Sequence, residues 1–174
     1  MKDNLARAVE CGLLLATGLA LSQLKLFQLP SGGSVSLGSF PILLIAARRG
    51  MKVGIIAGGL MGMLLLAERP FIVSVTQFLL DYPIAFGMLG FSGIFKWDSS
   101  LKSVFSVTLG SFLRLLCHVI AGVVFFAKPD LPMDKVIIGS LIYNCGHMIP
   151  ETILCASLAG YLATRHTAMI KRQD

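Results

Sequence analysis

Apolar residues gather into six runs along this chain, and short polar or charged stretches separate each run from the next. The runs predict helices over residues 4–27, 37–47, 51–67, 74–95, 101–126 and 136–164. At a rise of about 1.5 Å per residue, about 20 apolar residues cross a hydrocarbon core of about 30 Å. The pattern therefore indicates a single domain, 1–174, that crosses a membrane six times.

Composition favours the same class of protein. Of 174 residues, 55% are hydrophobic and 14% are charged, whereas a soluble domain carries about 25% charged residues. The mean hydropathy is +0.80. A secretory signal peptide is the alternative for the first run, but Glu10 interrupts that run and five more apolar runs follow. We expect an all-α integral membrane protein.

The charges predict how the chain sits in the membrane. A net charge of +6 would suit a nucleic-acid-binding protein, but the basic residues lie in loops and tails between the apolar runs. Six crossings place both termini on one side, where loops and tails hold ten basic residues against four on the other. The positive-inside rule therefore makes both termini cytoplasmic, with no nucleic-acid partner. Trp97, which follows the fourth run, is predicted to anchor at the membrane interface.

The fourth run, residues 74–95, contains one formal charge, Asp81. A carboxylate inside a membrane helix costs a few kcal/mol unless it is paired, and such acids usually mark functional sites. Tyr82 and Pro83 follow it, and Pro83 frees a backbone carbonyl one turn back. We expect Asp81 to meet a cation or a hydrogen-bond donor.

Two further polar residues are predicted at the depth of Asp81. His118 and Asn144 each lie about eight residues from the outer end of their helices, so all three sit about 10–12 Å below the outer surface. His118, Gly122 and Phe126 share one helix face at i, i+4 and i+8, which places an aromatic ring at the mouth. Convergent polar groups in an apolar setting predict a small-molecule pocket open to the outside. The alternative for each polar residue is a structural hydrogen bond.

Other polar residues do not suggest catalysis or a metal site. Arg114 and Glu151 lie deeper at matching depth, so we predict that they pair with each other. His147 and Glu151 are four residues apart but have no third ligand, which makes a poor metal site. Residues 28–36 lack the lysine and preceding strand of a phosphate loop, and fit a lid or a plain turn better.

Small residues recur along the first helix at every fourth position, as Ala8, Gly12, Ala16 and Ala20. Such a row lets another membrane helix approach closely. Two interpretations remain open: packing against a neighbouring helix of this chain, or docking to a partner subunit. The third run carries a similar glycine face between residues 54 and 62.

Five segments carry a resemblance to a known family. In order they read LPSGGSVSLGSFPI, ARRG, QFLLDYPIAFGMLGFSGIF, RLLCHVIAGVVFF and SLIYNCGHMIPE. They resemble the thiamine-specific S component of energy-coupling-factor (ECF) vitamin transporters. The resemblance implies a non-enzymatic subunit of a bacterial plasma membrane that binds thiamine outside and has no cofactor. It also implies docking on a coupling module, made of a transmembrane protein and two ATPases that use the ATP.

The resemblance implies roles for particular residues. Ligand contacts would come from Asp81 with Tyr82 beside it, from His118 with Gly122 one turn later, and from Asn144. The small-residue row on the first helix resembles the docking face of the family.

The chain departs from the family in its aromatic residues. Members carry a tryptophan where Phe126 stands, a tyrosine where Gly139 stands, and a tryptophan in the first loop. Two alternatives follow: stacking on the ligand is weaker than in those members, or it is supplied by Phe126, Phe125 and Tyr143.

These residues suit a cationic, aromatic ligand. Asp81 can neutralise a thiazolium or bond an aminopyrimidine, while Asn144 and His118 fix ring nitrogens. The alternatives are an S component for another vitamin or precursor, a membrane-embedded enzyme, and a structural scaffold. An enzyme would need a nucleophile–base pair, and the neighbours Cys117 and His118 point about 100° apart on a helix.

Overall fold

The computed structural model describes residues 2–30, 33–68, 70–125 and 130–172, and helices dominate it. The elements, in chain order, are α1 Lys2–Gln23, β1 Phe27–Gln28, β2 Ser34–Val35, α2 Phe40–Arg49, α3 Met51–Glu68, α4 Val75–Leu79, a π-helical turn Leu80–Ile84, α5 Ala85–Met88, a 3-10 turn Leu89–Gly93, α6 Ser100–Phe125, α7 Met133–Arg165 and α8 Thr167–Ile170. We call residues 75–93, from α4 to the 3-10 turn, the interrupted segment.

The prediction of a helical membrane protein is confirmed, and each of the six apolar runs contains helix. Within the described residues, α1, α3 and α6 are long and apolar enough to cross a membrane. Helix α2 has 10 residues, so it covers about 15 Å, half of a hydrocarbon core. Six crossings and cytoplasmic termini stay predictions.

The first loop, which connects α1 to α2, has more structure than a plain turn. Helix α1 ends at Gln23 rather than at residue 27, and β1 pairs antiparallel with β2, with Phe27 opposite Val35. The Leu29 N–H donates to the Gly33 carbonyl at 2.7 Å and closes the hairpin. The hairpin gives the backbone groups of this loop partners that the helices cannot supply.

The fourth run is not the continuous helix that its apolar pattern predicts. Pro83 has no N–H to donate, and the chain widens into the π-helical turn Leu80–Ile84 around it. A 3-10 turn then ends the segment at Gly93. The irregular turns change the direction of side chains along the segment, which a regular 3.6-residue period does not predict.

The glycine face of α3 holds the interrupted segment in place. A Cβ on Gly58 would overlap the Phe86 carbonyl, and one on Gly62 would overlap the Tyr82 carbonyl. The prediction of a close-packing face is therefore confirmed, and its partner is the segment that carries Asp81. Any side chain larger than hydrogen on Gly58 or Gly62 would push that segment away from α3.

The core is centred on α2, whose Ile42, Leu43 and Ile45 are fully buried. Trp97 also belongs to the core, so its predicted role as an interface anchor is wrong. The ring is 4% exposed, and its Nε1–H donates to the Ser92 carbonyl at 3.0 Å. That carbonyl lies in the 3-10 turn, where a backbone acceptor was free for the indole.

A buried ion pair joins α6 to α7. The Arg114 Nη1 lies 3.2 Å from Glu151 Oε1 and donates to Ser39 Oγ at 2.8 Å, while Ser39 Oγ itself donates to Glu151. The predicted pairing of Arg114 with Glu151 is confirmed. The Arg114 guanidinium also lies 4.3 Å from the centroid of the Phe86 ring. The pair therefore ties both long helices to the start of α2 and to the interrupted segment.

Basic side chains gather at one end of the helical bundle. Arg48 and Arg49, at the turn from α2 to α3, both donate to the carboxylate of Glu10 on α1. Arg172, near the C-terminus, donates to the backbone carbonyl of Gly93. These contacts bring the first turns of α1, the end of the interrupted segment and the C-terminal tail to the same end of the protein.

Candidate ligand-binding site

A cavity of about 580 Å³ opens between the interrupted segment, α6 and α7. It is lined by six of the residues predicted to contact a ligand, which are Asp81, Tyr82, His118, Gly122, Tyr143 and Asn144. Phe126 lies outside the described residues, so its place at the mouth stays a prediction. Phe125 ends α6 and is not part of the lining.

The hydrogen-bond donor that Asp81 is expected to meet is present inside the chain. Its Oδ1 lies 3.0 Å from His118 Nδ1, and its Oδ2 accepts a hydrogen bond from Gln77 Nε2 at 2.6 Å. These bonds offset the cost of withdrawing a carboxylate from water. An ionised carboxylate has about four lone-pair sites, so Asp81 can still accept from a ligand in the cavity.

The side chain of Asn144 extends from α7 toward α6, and its hydrogen bonds fix the orientation of its amide group. Its Nδ2 donates to the Ser140 carbonyl at 2.9 Å and lies 3.5 Å from the His118 carbonyl. Carbonyls only accept hydrogen bonds, so the NH₂ side must face them. The amide oxygen Oδ1 is then the free group, without a hydrogen-bond partner in the described part of the chain. The cavity therefore contains an acceptor at this point.

Gly122 lets α6 and α7 approach each other beside the cavity. A Cβ there would overlap Ser140 Oγ, which donates to the Val119 carbonyl at 3.0 Å. Because Asn144 bonds Ser140, close approach at Gly122 also decides where the Asn144 amide sits. The structure thus gives Gly122 a packing function beside its predicted place in the ligand site.

Aromatic groups cover part of the wall. The rings of Tyr143 and His147 lie 5.3 Å apart, and His147 Nδ1–H donates to the Tyr143 carbonyl at 3.0 Å. The ring centroids of Tyr82 and Phe78 lie 6.4 Å apart. At Gly139 the wall is open, since a Cβ there would meet no atom within 4 Å.

Several lining residues escaped prediction, among them Gln77, Ser140 and His147. Each lies four residues from a predicted site residue in the sequence: Gln77 precedes Asp81, Ser140 precedes Asn144 and His147 follows Tyr143. Residues four apart share a helix face, so this spacing could have found them.

The first loop lies against the same wall. A Cβ on Gly33 would overlap the imidazole of His147, and one on Gly146 would meet Leu29 at 3.5 Å. The hairpin therefore packs on α7 beside the cavity. Whether it acts as a lid stays a prediction.

The small-residue row of α1 faces outward. Ala8, Gly12, Ala16 and Ala20 are all exposed, and a Cβ on Gly12 would meet no atom within 4 Å. Helix α1 packs on the bundle through a different face, where a Cβ on Gly18 would lie 3.0 Å from the Gly38 carbonyl. The row is therefore not the packing face within this chain.

Comparisons with known proteins agree with one another. A family described as "Thiamine transporter protein" matches residues 8–171. Thiamine transporter ThiT of Bacillus subtilis (strain 168) is 36% identical over 168 residues, which cover 88% of each chain. A protein of the same name from Lacticaseibacillus paracasei (strain ATCC 334) is 28% identical over 172 residues, or 90% of this chain and 86% of that one.

A solved structure shows the same fold. ThiT from Listeria monocytogenes matches with a TM-score of 0.80 at 24% identity, covering 98% of this chain and 100% of its own. The relatives are transporters rather than enzymes. The family match covers nearly the whole chain, and so does the B. subtilis relative at more than 30% identity. This chain belongs to the thiamine transporter protein family.

Proposed function

We propose that this chain is the thiamine-binding S component of an ECF transporter in a bacterial plasma membrane. It captures thiamine from the outer side in the cavity lined by Asp81. A docked module then supplies the energy for release inside. The observation that carries the ligand assignment is a carboxylate, fixed by two hydrogen bonds, in a largely apolar cavity of a thiamine transporter family member.

The chemistry of the cavity suits thiamine. Its volume of about 580 Å³ lies within the range of about 300–1,000 Å³ that is common for small-molecule sites. The negative charge of Asp81 complements the thiazolium cation, and Asn144 Oδ1 can accept from the amino group of the pyrimidine. Tyr82 and Tyr143 offer ring faces to a cation.

We further propose that the six helical segments cross the membrane with both termini in the cytoplasm. The cluster of Arg48, Arg49 and Arg172 near both termini supports this orientation under the positive-inside rule. Helix α2 is short for a crossing, but it is buried in the bundle, so its ends need not match the lipid. The cavity then opens outward, beside the first loop and the start of α7.

The outward row on α1 is proposed as the docking face for the transmembrane coupling protein. In the most apolar stretch of α1, only 6% of residues are buried within the chain. Small residues along this exposed surface would let a partner helix approach at backbone distance. The ATPases of the module would use the ATP.

The ligand assignment is tested on the protein purified in lipid nanodiscs. Mass spectrometry of small molecules that co-purify should detect thiamine, and titration calorimetry with added thiamine should show saturable one-site binding. A different bound vitamin, with no thiamine binding, would contradict the ligand and leave the S-component assignment standing.

Docking is tested with Ala16→Trp. A bulky ring in the row should block approach of the partner helix, so thiamine binding persists in nanodiscs while uptake by cells is lost. Thr17→Trp is the matched control, since Thr17 is exposed at almost the same depth but points about 100° away. Loss of binding together with uptake for Ala16→Trp would contradict the docking role.

A further inference from the structure

Gln77 is the buried residue that holds Asp81, although it carries no charge. Its side chain is 1% exposed. Its Oε1 accepts from the Val73 N–H at 3.0 Å, and its Nε2 donates to Asp81 Oδ2 at 2.6 Å. The amide thus connects the backbone at the start of α4 to the carboxylate in the π-helical turn.

The Val73 contact fixes which side of the amide faces Asp81. A backbone N–H can only donate, so it must meet the amide oxygen. The NH₂ group of Gln77 is then turned toward Asp81 and cannot be exchanged for the oxygen without losing both bonds. With Oδ2 held in this way, Oδ1 of Asp81 faces His118 Nδ1 at 3.0 Å.

The orientation of Asp81 in turn fixes the proton on His118. An ionised carboxylate only accepts, so Nδ1 must carry the hydrogen that lies between the two groups. In the neutral ring Nε2 then has a lone pair. Asn144 Oδ1 is likewise a free acceptor, because its NH₂ group is committed to the Ser140 carbonyl.

We propose that Gln77 is a positioning residue that, through Asp81, holds His118 in the neutral Nδ1–H tautomer and so makes Asp81, His118 and Asn144 a surface of hydrogen-bond acceptors in the cavity. Such a surface selects a cationic ligand that brings N–H donors. This inference rests on the proposed function in one respect, the positive charge of the ligand. Lys135 also lines the cavity, so a protonated imidazole would add a further cation to a wall that carries one carboxylate.

An acceptor surface distinguishes thiamine from oxythiamine, in which an oxo group replaces the amino group of the pyrimidine. The amino group donates, whereas the oxo group would set one acceptor against another. Leaving buried hydrogen-bonding groups unpaired costs a large part of the binding free energy. We therefore expect the protein to prefer thiamine over oxythiamine by roughly a hundredfold.

The tautomer can be read without any ligand. The protein is labelled with ¹⁵N-histidine in nanodiscs, and His118→Asn identifies the His118 signals by their disappearance. At pH 7.5 the ¹⁵N shifts should show a neutral ring with hydrogen on Nδ1. A ring protonated only on Nε2, or on both nitrogens, would overturn the proposal. In Gln77→Leu we expect a mixture of the two neutral tautomers.

Ligand discrimination is the second readout, from calorimetric titrations with both compounds. Gln77→Leu removes both amide bonds and keeps a side chain of similar size. We expect its thiamine affinity to fall about tenfold and its oxythiamine affinity by less than about threefold. Equal losses for both compounds would mean that Gln77 only supports the fold, and would overturn the proposal.

Ser74→Ala is the matched control. Ser74 Oγ accepts from the Gln77 backbone N–H at 3.1 Å, so this change weakens the start of α4 and leaves the Gln77 amide in place. It should lower the thermal midpoint and preserve the preference for thiamine. If Gln77→Leu does not fold, the tautomer of His118 in the unchanged protein still tests the proposal. If that protein binds no thiamine, the proposed function fails, while the tautomer measurement stands on its own.

Discussion

Replacing Asp81 by asparagine should weaken thiamine binding far more than it weakens folding. The amide has one accepting and one donating side, but its two neighbours both donate: Gln77 Nε2 at 2.6 Å and His118 Nδ1 at 3.0 Å. While His118 keeps its hydrogen on Nδ1, either orientation of the new amide sets two donors against each other, and only a switch of His118 to the Nε2–H tautomer removes the conflict. The negative charge that meets the ligand cation is also lost.

The size of the effect follows from these contacts. A hydrogen bond to a charged group contributes about 1.5–3 kcal/mol, which corresponds to roughly a tenfold to hundredfold loss of affinity. Folding should change less, because removing the charge also removes the cost of keeping a carboxylate away from water. Calorimetry with thiamine measures the loss of affinity, and thermal unfolding without ligand measures the change in stability.

Asp98→Asn is the control for a general effect of lost charge. Asp98 is exposed, pairs with Lys102 at 2.8 Å and is not among the residues that line the cavity. It should bind thiamine as the unchanged protein does. Two results would refute the assignment of Asp81 to the ligand. One is an unchanged thiamine affinity in Asp81→Asn, and the other is a loss of affinity that is fully explained by a lower melting temperature of the variant.

Further changes probe the other walls of the site and the ion pair below it. Gly139→Tyr should place a ring where the wall is open and tighten thiamine binding severalfold, which calorimetry would detect. Gly122→Val should force Ser140 away and reduce affinity at least about tenfold with a lower melting temperature; unchanged values would contradict the tight α6–α7 approach. Glu151→Ala leaves Arg114 buried without its anion, so unfolding should become easier by about 3 kcal/mol in denaturant titrations.

Apolar patterning predicts the helices of this protein well, because burial and bilayer length act on every turn of each run. It predicts the interrupted segment less well. The effect of Pro83 on the hydrogen-bond ladder is visible in the sequence, but the π-helical turn that absorbs it depends on packing against Gly58 and Gly62 of α3. The burial of Trp97 is not visible in the sequence either, since a tryptophan at the end of an apolar run suits an interface and a core equally.

The polar site could be predicted in outline but not in its pairing. Asp81, His118 and Asn144 carry a charge or a conspicuous polar group, their predicted depth is equal, and all three line one cavity. Gln77 carries no charge and looks like an ordinary helix residue. Only the geometry of its amide, with Val73 on one side and Asp81 on the other, shows that it orients the acid.

The residues proposed for ligand binding and those proposed for docking lie on separate elements, with the buried ion pair between them. Helix α1 meets the first loop where Gly18 approaches the Gly38 carbonyl. The next residue, Ser39, bonds both members of the buried ion pair. Arg114 of that pair lies one helical turn from His118 in the cavity. A partner that shifts α1 would therefore act first on the start of α2 and on the ion pair, before it reaches the ligand. On the proposed function, a partner could therefore occupy the exposed row of α1 without touching any residue that lines the cavity.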